Sequence, residues 1–360
     1  INSSYFGTGT LTIGGSGQNA FIIETAGDLG LNTLRVGNLD PNAQVHTAYL
    51  AAPNGRILNR AAAGTTNVVS GKVWLFAASH VGEANAPITT QASHIEGRSI
   101  AGNLAIDNTG AVEVGGVTSD GSGLYAAGAV QFSAHSPMTV SESIYAAGDI
   151  TLTSGDSAGD GDWIKVLADI TVTAGSKLLL TAGLAILIDD ATVNAGISVT
   201  LLAGSTLLID DAALGAVVGS IDLTGSSVTL AHAASVTAYT AVVVTASTGS
   251  VQMADQSRVS ATTQSAVIKA ASNVLIDGKS AVFGKTTVGL DAGSGSITVT
   301  GASVVDAVDG QLVATAKTDV LVDLESVVSA GGSALIAATA GSLSVVRTST
   351  VQSRNQRVQG

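Results

Sequence analysis

Apolar residues alternate with small polar ones along most of this chain, and the alternation recurs at a nearly fixed step. The segment Leu184-Ala-Ile-Leu-Ile-Asp-Asp190 returns as Ser205-Thr-Leu-Leu-Ile-Asp-Asp211, 21 residues later. An apolar anchor then moves through Ile188, Ile209, Leu230, Met253, Ile276, Val299, Val322 and Val345, at spacings of 21, 21 and then 23. A second apolar position follows six residues after the anchor, at Val236, Val259, Val282, Val305, Val328 and Val351. In the 21-residue steps it follows after five, at Val193 and Leu214. A third lies further on, as in Val242-Val-Val244, Val288-Gly-Leu290 and Leu335-Ile336.

Alternation over three to five residues is a strand period, and no window carries the three-and-four spacing of a helix. Val, Ile and Thr fill the segments, while Gly, Ser, Asp and Asn separate them. A period of this size with several short strands predicts an all-β fold, a parallel β-helix or β-solenoid with coils of about 20–26 residues. Each coil then stacks its inward residues on the equivalent residues of the next. A one- or two-residue difference between periods is an extra turn residue.

Upstream the step lengthens: Val114, Val140 and Val166 lie 26 apart. Leu124-Tyr-Ala-Ala-Gly128 and Ile144-Tyr-Ala-Ala-Gly148 recur 20 apart. Residues 1–100 are less regular and hold six of the twelve aromatics, together with His46, His80 and His94. They are expected to form an irregular N-terminal part of the solenoid, a cap or an insertion, with regular coils over 101–360. Ile95-Glu-Gly-Arg98 matches a short protease site but sits inside the continuous pattern, and is read as native sequence.

Composition narrows the class. Hydrophobic residues make up 46% of the chain but aromatics only 3% and charged residues 12%, which suits a narrow core of small side chains. No apolar run approaches the roughly 18 residues of a membrane span, and the strands are too short for a transmembrane barrel. With no cysteine, there is neither a disulfide framework nor a thiolate metal site. The chain begins at Ile1 without Met and is expected to be a processed or excised piece, with a last coil that no obvious cap closes.

The net charge of −12 is concentrated in the middle: residues 99–257 hold fifteen Asp or Glu against Lys165 and Lys177. Such a body should not bind nucleic acid. Asp189-Asp190 and Asp210-Asp211 occupy equivalent places one coil apart, so stacking brings like charges together, and Ca²⁺ would relieve the repulsion. The loop Gly155-Asp-Ser-Ala-Gly-Asp-Gly-Asp162 offers Asp156, Asp160 and Asp162 as a second calcium candidate, although it lacks the EF-hand pattern. The same Asp ladder could serve a sugar-cleaving enzyme, but neither an aromatic platform nor an arginine lies near it in sequence. Nor does any nucleophile elbow come with His and acid partners, so the chain is expected not to be an enzyme. His232 falls two residues after an anchor, as do Asp190, Asp211 and Asp255, and is read as a turn residue.

The run from Asn54-Gly-Arg-Ile-Leu58 through Ala86-Pro-Ile88, Leu104-Ala-Ile-Asp-Asn-Thr-Gly110 and Ala146-Ala-Gly-Asp-Ile-Thr-Leu152 resembles the repeat regions of filamentous haemagglutinin-like proteins. These are large bacterial surface adhesins, many exported by two-partner secretion. The resemblance implies a right-handed parallel β-helix, secretion or display at the bacterial cell surface, and adhesive or fibre-forming work. The expected partners are further copies or flanking repeats of the same chain, with a host-surface or polysaccharide ligand. The expected role is an adhesin segment or a fibre subunit that assembles end to end. The alternative is a β-helix that binds or cleaves polysaccharide with its Asp ladder.

Overall fold

Among the described residues of the computed structural model every regular element is a short strand, and the strands pair with their neighbours in parallel. The structure describes residues 10–13, 19–37, 46–155, 161–355 and 358–359. Among them there is no helix, and so none long and apolar enough to cross a membrane. The chain is a parallel β-solenoid. It divides into two units, Ile1–Gly183 and Leu184–Gly360, so the second begins where the 21- and 23-residue repeat begins.

In the second unit each coil has three strands. One coil runs through Thr206–Asp210, Ala213–Ala216 and Ile221–Gly225; the next runs through Ser227–Ala231, Ser235–Ala238 and Val242–Ala246. Each strand pairs with its equivalent in register: Ile209 with Leu230, Leu214 with Val236, Leu223 with Val244. Pairing at every coil satisfies the backbone, and alternation sends every second side chain inward. The anchors Ile188, Ile209, Leu230, Met253 and Ile276 are fully buried, as are Val193, Val236, Val259, Val282 and Val305. Leu343 and Val345 hold the places of Val320 and Val322 but are 40% and 42% exposed, against 2% and 1%.

One of the two extra residues of the longer period sits at one corner, where the step from the anchor to the second apolar position grows from five to six. Two residues after each anchor the backbone enters the left-handed region. In the 21-residue steps a single residue does so, Asp190 (φ 43°) and Asp211 (φ 47°). In the 23-residue steps two successive residues do: His232 and Ala233, Asp255 and Gln256, Gly278 and Lys279, Gly301 and Ala302, Leu324 and Glu325, Arg347 and Thr348. The corner residues continue the ladder, since the amides of Gln256, Lys279, Ala302 and Glu325 donate to the carbonyls of Gly278, Gly301, Leu324 and Arg347. His232 is thus a turn residue, as its position in the repeat predicts. Immediately after each corner a small residue tucks inward: Ala234, Ser257, Ser280, Ser303 and Ser326 are all fully buried.

The first unit uses the same three-strand scheme with less even coils. One sheet runs through Ala20–Ile23, Thr47–Ala52, Lys72–Ala77, His94–Ser99, Ser122–Ala126, Ser143–Ala146 and Thr171–Ala174. A second includes Leu104–Asn108, Val130–Ala134, Ile150–Ser154 and Lys177–Ala182. A third includes Val112–Val114, Met138–Val140 and Ile164–Val166. Tyr125 pairs with Tyr145, 20 residues on, and Tyr145 with Thr173, 28 on. Coil strands already stack by residue 47, well inside the region that reads as irregular in the sequence.

Candidate functional site

On the first sheet of the first unit, alternation sends Phe21, Tyr49, Trp74 and Glu96 outward in one column. Two residues along each strand, Phe76, Arg98, Tyr125 and Tyr145 form a second. Parallel strands about 4.8 Å apart bring such side chains into contact. The rings of Phe21 and Tyr49 stack at 4.6 Å and those of Tyr125 and Tyr145 at 5.3 Å. Trp74 and Phe76, on one strand, lie parallel at 5.7 Å. The guanidinium of Arg98 rests over the Tyr125 ring, 4.9 Å from its centre, a cation–π contact. Phe21 is 69% exposed and Tyr145 42%. These rings stack on one another along the outer face of the sheet and not in its core.

A cleft of about 300 Å³ opens in this face, lined by Trp74, Phe76, Gly97, Arg98, Ile100, Asp120 and Ser122. Beside it three carboxylates converge. One oxygen from each of Glu96, Asp120 and Glu142 lies within 4.8 Å of the other two. Glu96 is almost wholly buried and accepts from the amides of Val117 (2.6 Å) and Thr118 (2.7 Å) and from the Thr118 hydroxyl (2.6 Å). Asp120 accepts from the Ser122 amide, and its Oδ1 lies 2.9 Å from the Thr118 hydroxyl oxygen. Glu142 Oε1 accepts from the Gly116 amide at 3.1 Å, while its Oε2 is buried without a partner. Burial, reinforced by the Glu96 and Asp120 charges, pushes the Glu142 carboxyl above its ordinary range against the Gly116 amide. The arrangement offers stacking faces, a cation and acceptor oxygens within one cleft.

The calcium candidates fall out differently. Asp156 and Asp160 lie outside the described residues. Asp162 is 8% exposed and folds in against Gly155, where a Cβ would stand 2.6 Å from the Asp162 Cβ. Asp189 and Asp210 are register partners, side by side as the repeat predicts. Asp190 and Asp211 are the exposed corner residues of those coils. Among the described residues, the Asp189–Asp211 ladder brings no three carboxylates within 4.8 Å of one another.

The acidic trio escapes sequence reasoning, because its members are spread over 47 residues on coils of unequal length. The aromatic concentration in residues 1–100 is the signal that points toward this face. The tetrapeptide Ile95-Glu-Gly-Arg98 supplies both Glu96 and Arg98 from one strand, His94–Ser99. A second cleft, lined by the His135–Asp107 pair (2.8 Å), has no Phe, Tyr, Trp or Arg in its lining. Comparison with protein-family models, with curated proteins and with solved structures finds no match for this chain, so its functional reading rests on the fold and on this face.

Proposed function

We propose that this chain is an adhesive β-solenoid, displayed outside the cell, that holds a polysaccharide against the outward face of its first unit. The observation that carries this reading is the cleft walled by Trp74 and Phe76 with Arg98 and Asp120 beside them. Sugar rings present apolar C–H faces that pack on aromatic rings, and hydroxyls that bond to guanidinium and carboxylate groups. The columns continue past the cleft through Phe21 and Tyr49 on one side and Tyr125 and Tyr145 on the other. That length suits a polymer better than a small molecule. The haemagglutinin-like resemblance of residues 54–152 supports the same role. Polysaccharide cleavage is the second reading, favoured by carboxylates beside the aromatic wall.

Affinity electrophoresis of the chain through gels containing neutral or acidic polysaccharides tests the proposal. At least one polymer should retard it, and the Trp74→Ala, Phe76→Ala double variant should lose that retardation while keeping its β-sheet circular dichroism. Equal mobility in every gel, or an unimpaired double variant, would overturn it. Release of reducing ends would move the assignment to the cleaving class.

A further inference from the structure

We propose that Glu142 carries a proton that it shares with Glu96, and that this shared proton fastens the segment 115–122 as one wall of the cleft. The inference rests on the polysaccharide-binding reading for its consequence, but not for its geometry. The segment crosses from the strand Val112–Val114 to the strand Ser122–Ala126. Gly115, Gly116 and Gly121 take φ of 126°, 71° and 70° there, values that side-chain-bearing residues seldom adopt. Besides the Gly115 amide, which donates to the Ile95 carbonyl, its fastenings to the coil beneath run through side chains. The Val117 and Thr118 amides and the Thr118 hydroxyl bond to Glu96, the Gly116 amide bonds to Glu142, and Lys72 Nζ donates to the Gly116 carbonyl at 2.5 Å. Asp120 and Ser122, which line the cleft, belong to this segment.

Two carboxylates control most of those bonds, and one oxygen of each lies within 4.8 Å of the other. Glu96 has three donors and is satisfied as an anion. Glu142 has one, and its Oε2 is buried without any. Two adjacent anions with a desolvated, unpartnered oxygen are unfavourable. A proton on Glu142 removes one charge and turns the orphaned oxygen into a donor toward Glu96. The other charged groups facing this place are Asp120 on the segment, Lys72 on its tether, and His94, which lies against Gly116 and 3.5 Å from Glu113. Asp120 adds a third negative charge and favours the proton. Lys72 is spent on the Gly116 carbonyl, and burial pushes His94 toward its neutral form. As pH rises and Glu142 ionises, the segment loosens and the cleft loses its wall.

Hydrogen exchange of the segment's amides in the ligand-free chain, corrected for intrinsic exchange, tests the fastening directly between pH 5 and pH 8. Protection at Gly116, Val117 and Thr118 should fall with rising pH, by at most about tenfold per pH unit, and level off once Glu142 is ionised in the fastened segment too. Glu142→Gln, whose amide can donate to Glu96 at any pH, should hold protection constant, whereas His94→Gln should keep the wild-type slope. Flat protection in the wild type, or a wild-type slope in Glu142→Gln, would overturn the proposal. So would calcium chloride restoring protection at pH 8, since the trio would then share an ion. Retardation in polysaccharide gels should weaken over the same pH range. Flat protection with intact retardation defeats the shared proton alone. PH-dependent protection without retardation at any pH defeats the polysaccharide reading alone.

Discussion

His232 Nδ1 lies 2.5 Å from Asp210 Oδ1, one coil earlier, and its Nε2 lies 3.7 Å from Asp255 one coil later. A histidine thus stands between two acids in a corner column that would otherwise bring like charges together. The hydrogen bond to Asp210, then the charges of Asp210, Asp255 and Asp211, raise its pKa above the ordinary value. A raised folded pKa contributes stability fully present below the unfolded value of about 6.5, and lost as pH rises through the folded pKa. Thermal unfolding should therefore show the wild type losing its advantage over His232→Gln as pH climbs from 6 to 9. The group is exposed, so the effect should be small and should shrink in high salt. Parallel pH dependences in the two proteins would remove His232 from this role.

The same corners carry a backbone cost. Leu324 and Glu325 hold φ of 51° and 61°, while Gly278 and Gly301 serve equivalent corners without a Cβ. A left-handed residue costs roughly 1–2 kcal/mol, against about 0.5–1 kcal/mol for the extra freedom glycine loses on folding. Glu325→Gly should stabilise the chain by about 0.5 kcal/mol, and Leu324→Val should destabilise it by about 1 kcal/mol. Denaturant midpoints check both; a Leu324→Val variant as stable as the parent would contradict the corner geometry.

The column of small residues behind the corners gives a sharper test. Ser280 Oγ and Ser303 Oγ are buried without a hydrogen-bond partner, whereas Ser257 Oγ donates to the Ala254 carbonyl at 2.6 Å. Alanine already fills this position at Ala234. Removing an unsatisfied buried hydroxyl should gain about 1 kcal/mol. Ser280→Ala and Ser303→Ala should each raise the unfolding midpoint, and Ser257→Ala should lower it. Identical shifts at all three serines would count against the hydroxyl accounting.

Stacking itself is legible in the sequence wherever coils keep one length. Ile188 through Val322 read as a column because their spacing repeats, and the structure buries each of them. One of the two extra residues of the longer coils sits where the repeat has its Asp, His and Gly positions, at a turn that takes left-handed backbone. The acidic trio is not legible for the same physical reason in reverse. Steps such as 20 residues from Tyr125 to Tyr145 and 28 from Tyr145 to Thr173 leave no common period. Outward columns in the first unit exist only once the strands are paired. Glu96 and Arg98 read as part of an unremarkable strand, and only Trp74 and Phe76 on the neighbouring coil give them a setting.

Arg347 grips Asp323 with both ends of its fork: Nε donates to Oδ1 at 2.6 Å, and one terminal nitrogen to Oδ2. The Asp323 side chain is 5% exposed, so the carboxylate depends on this partner and on the Leu324 amide, which also donates to Oδ1. The guanidinium, foremost, holds the Asp323 carboxyl below the usual carboxylate range. A depressed folded pKa contributes stability present above the unfolded value of about 3.9, and lost as pH falls through the folded value. Arg347→Met keeps the aliphatic cover but strands the carboxylate, and Asp323→Asn with Arg347→Met removes the charge as well. The single variant should unfold more readily than the parent at pH 7. The double variant should recover part of that loss, since the penalty of an unpaired charge disappears. Between pH 5 and pH 2 the parent should lose stability more steeply than the double variant. Equal acid sensitivity in parent and double variant would show that this pair carries none of the linkage.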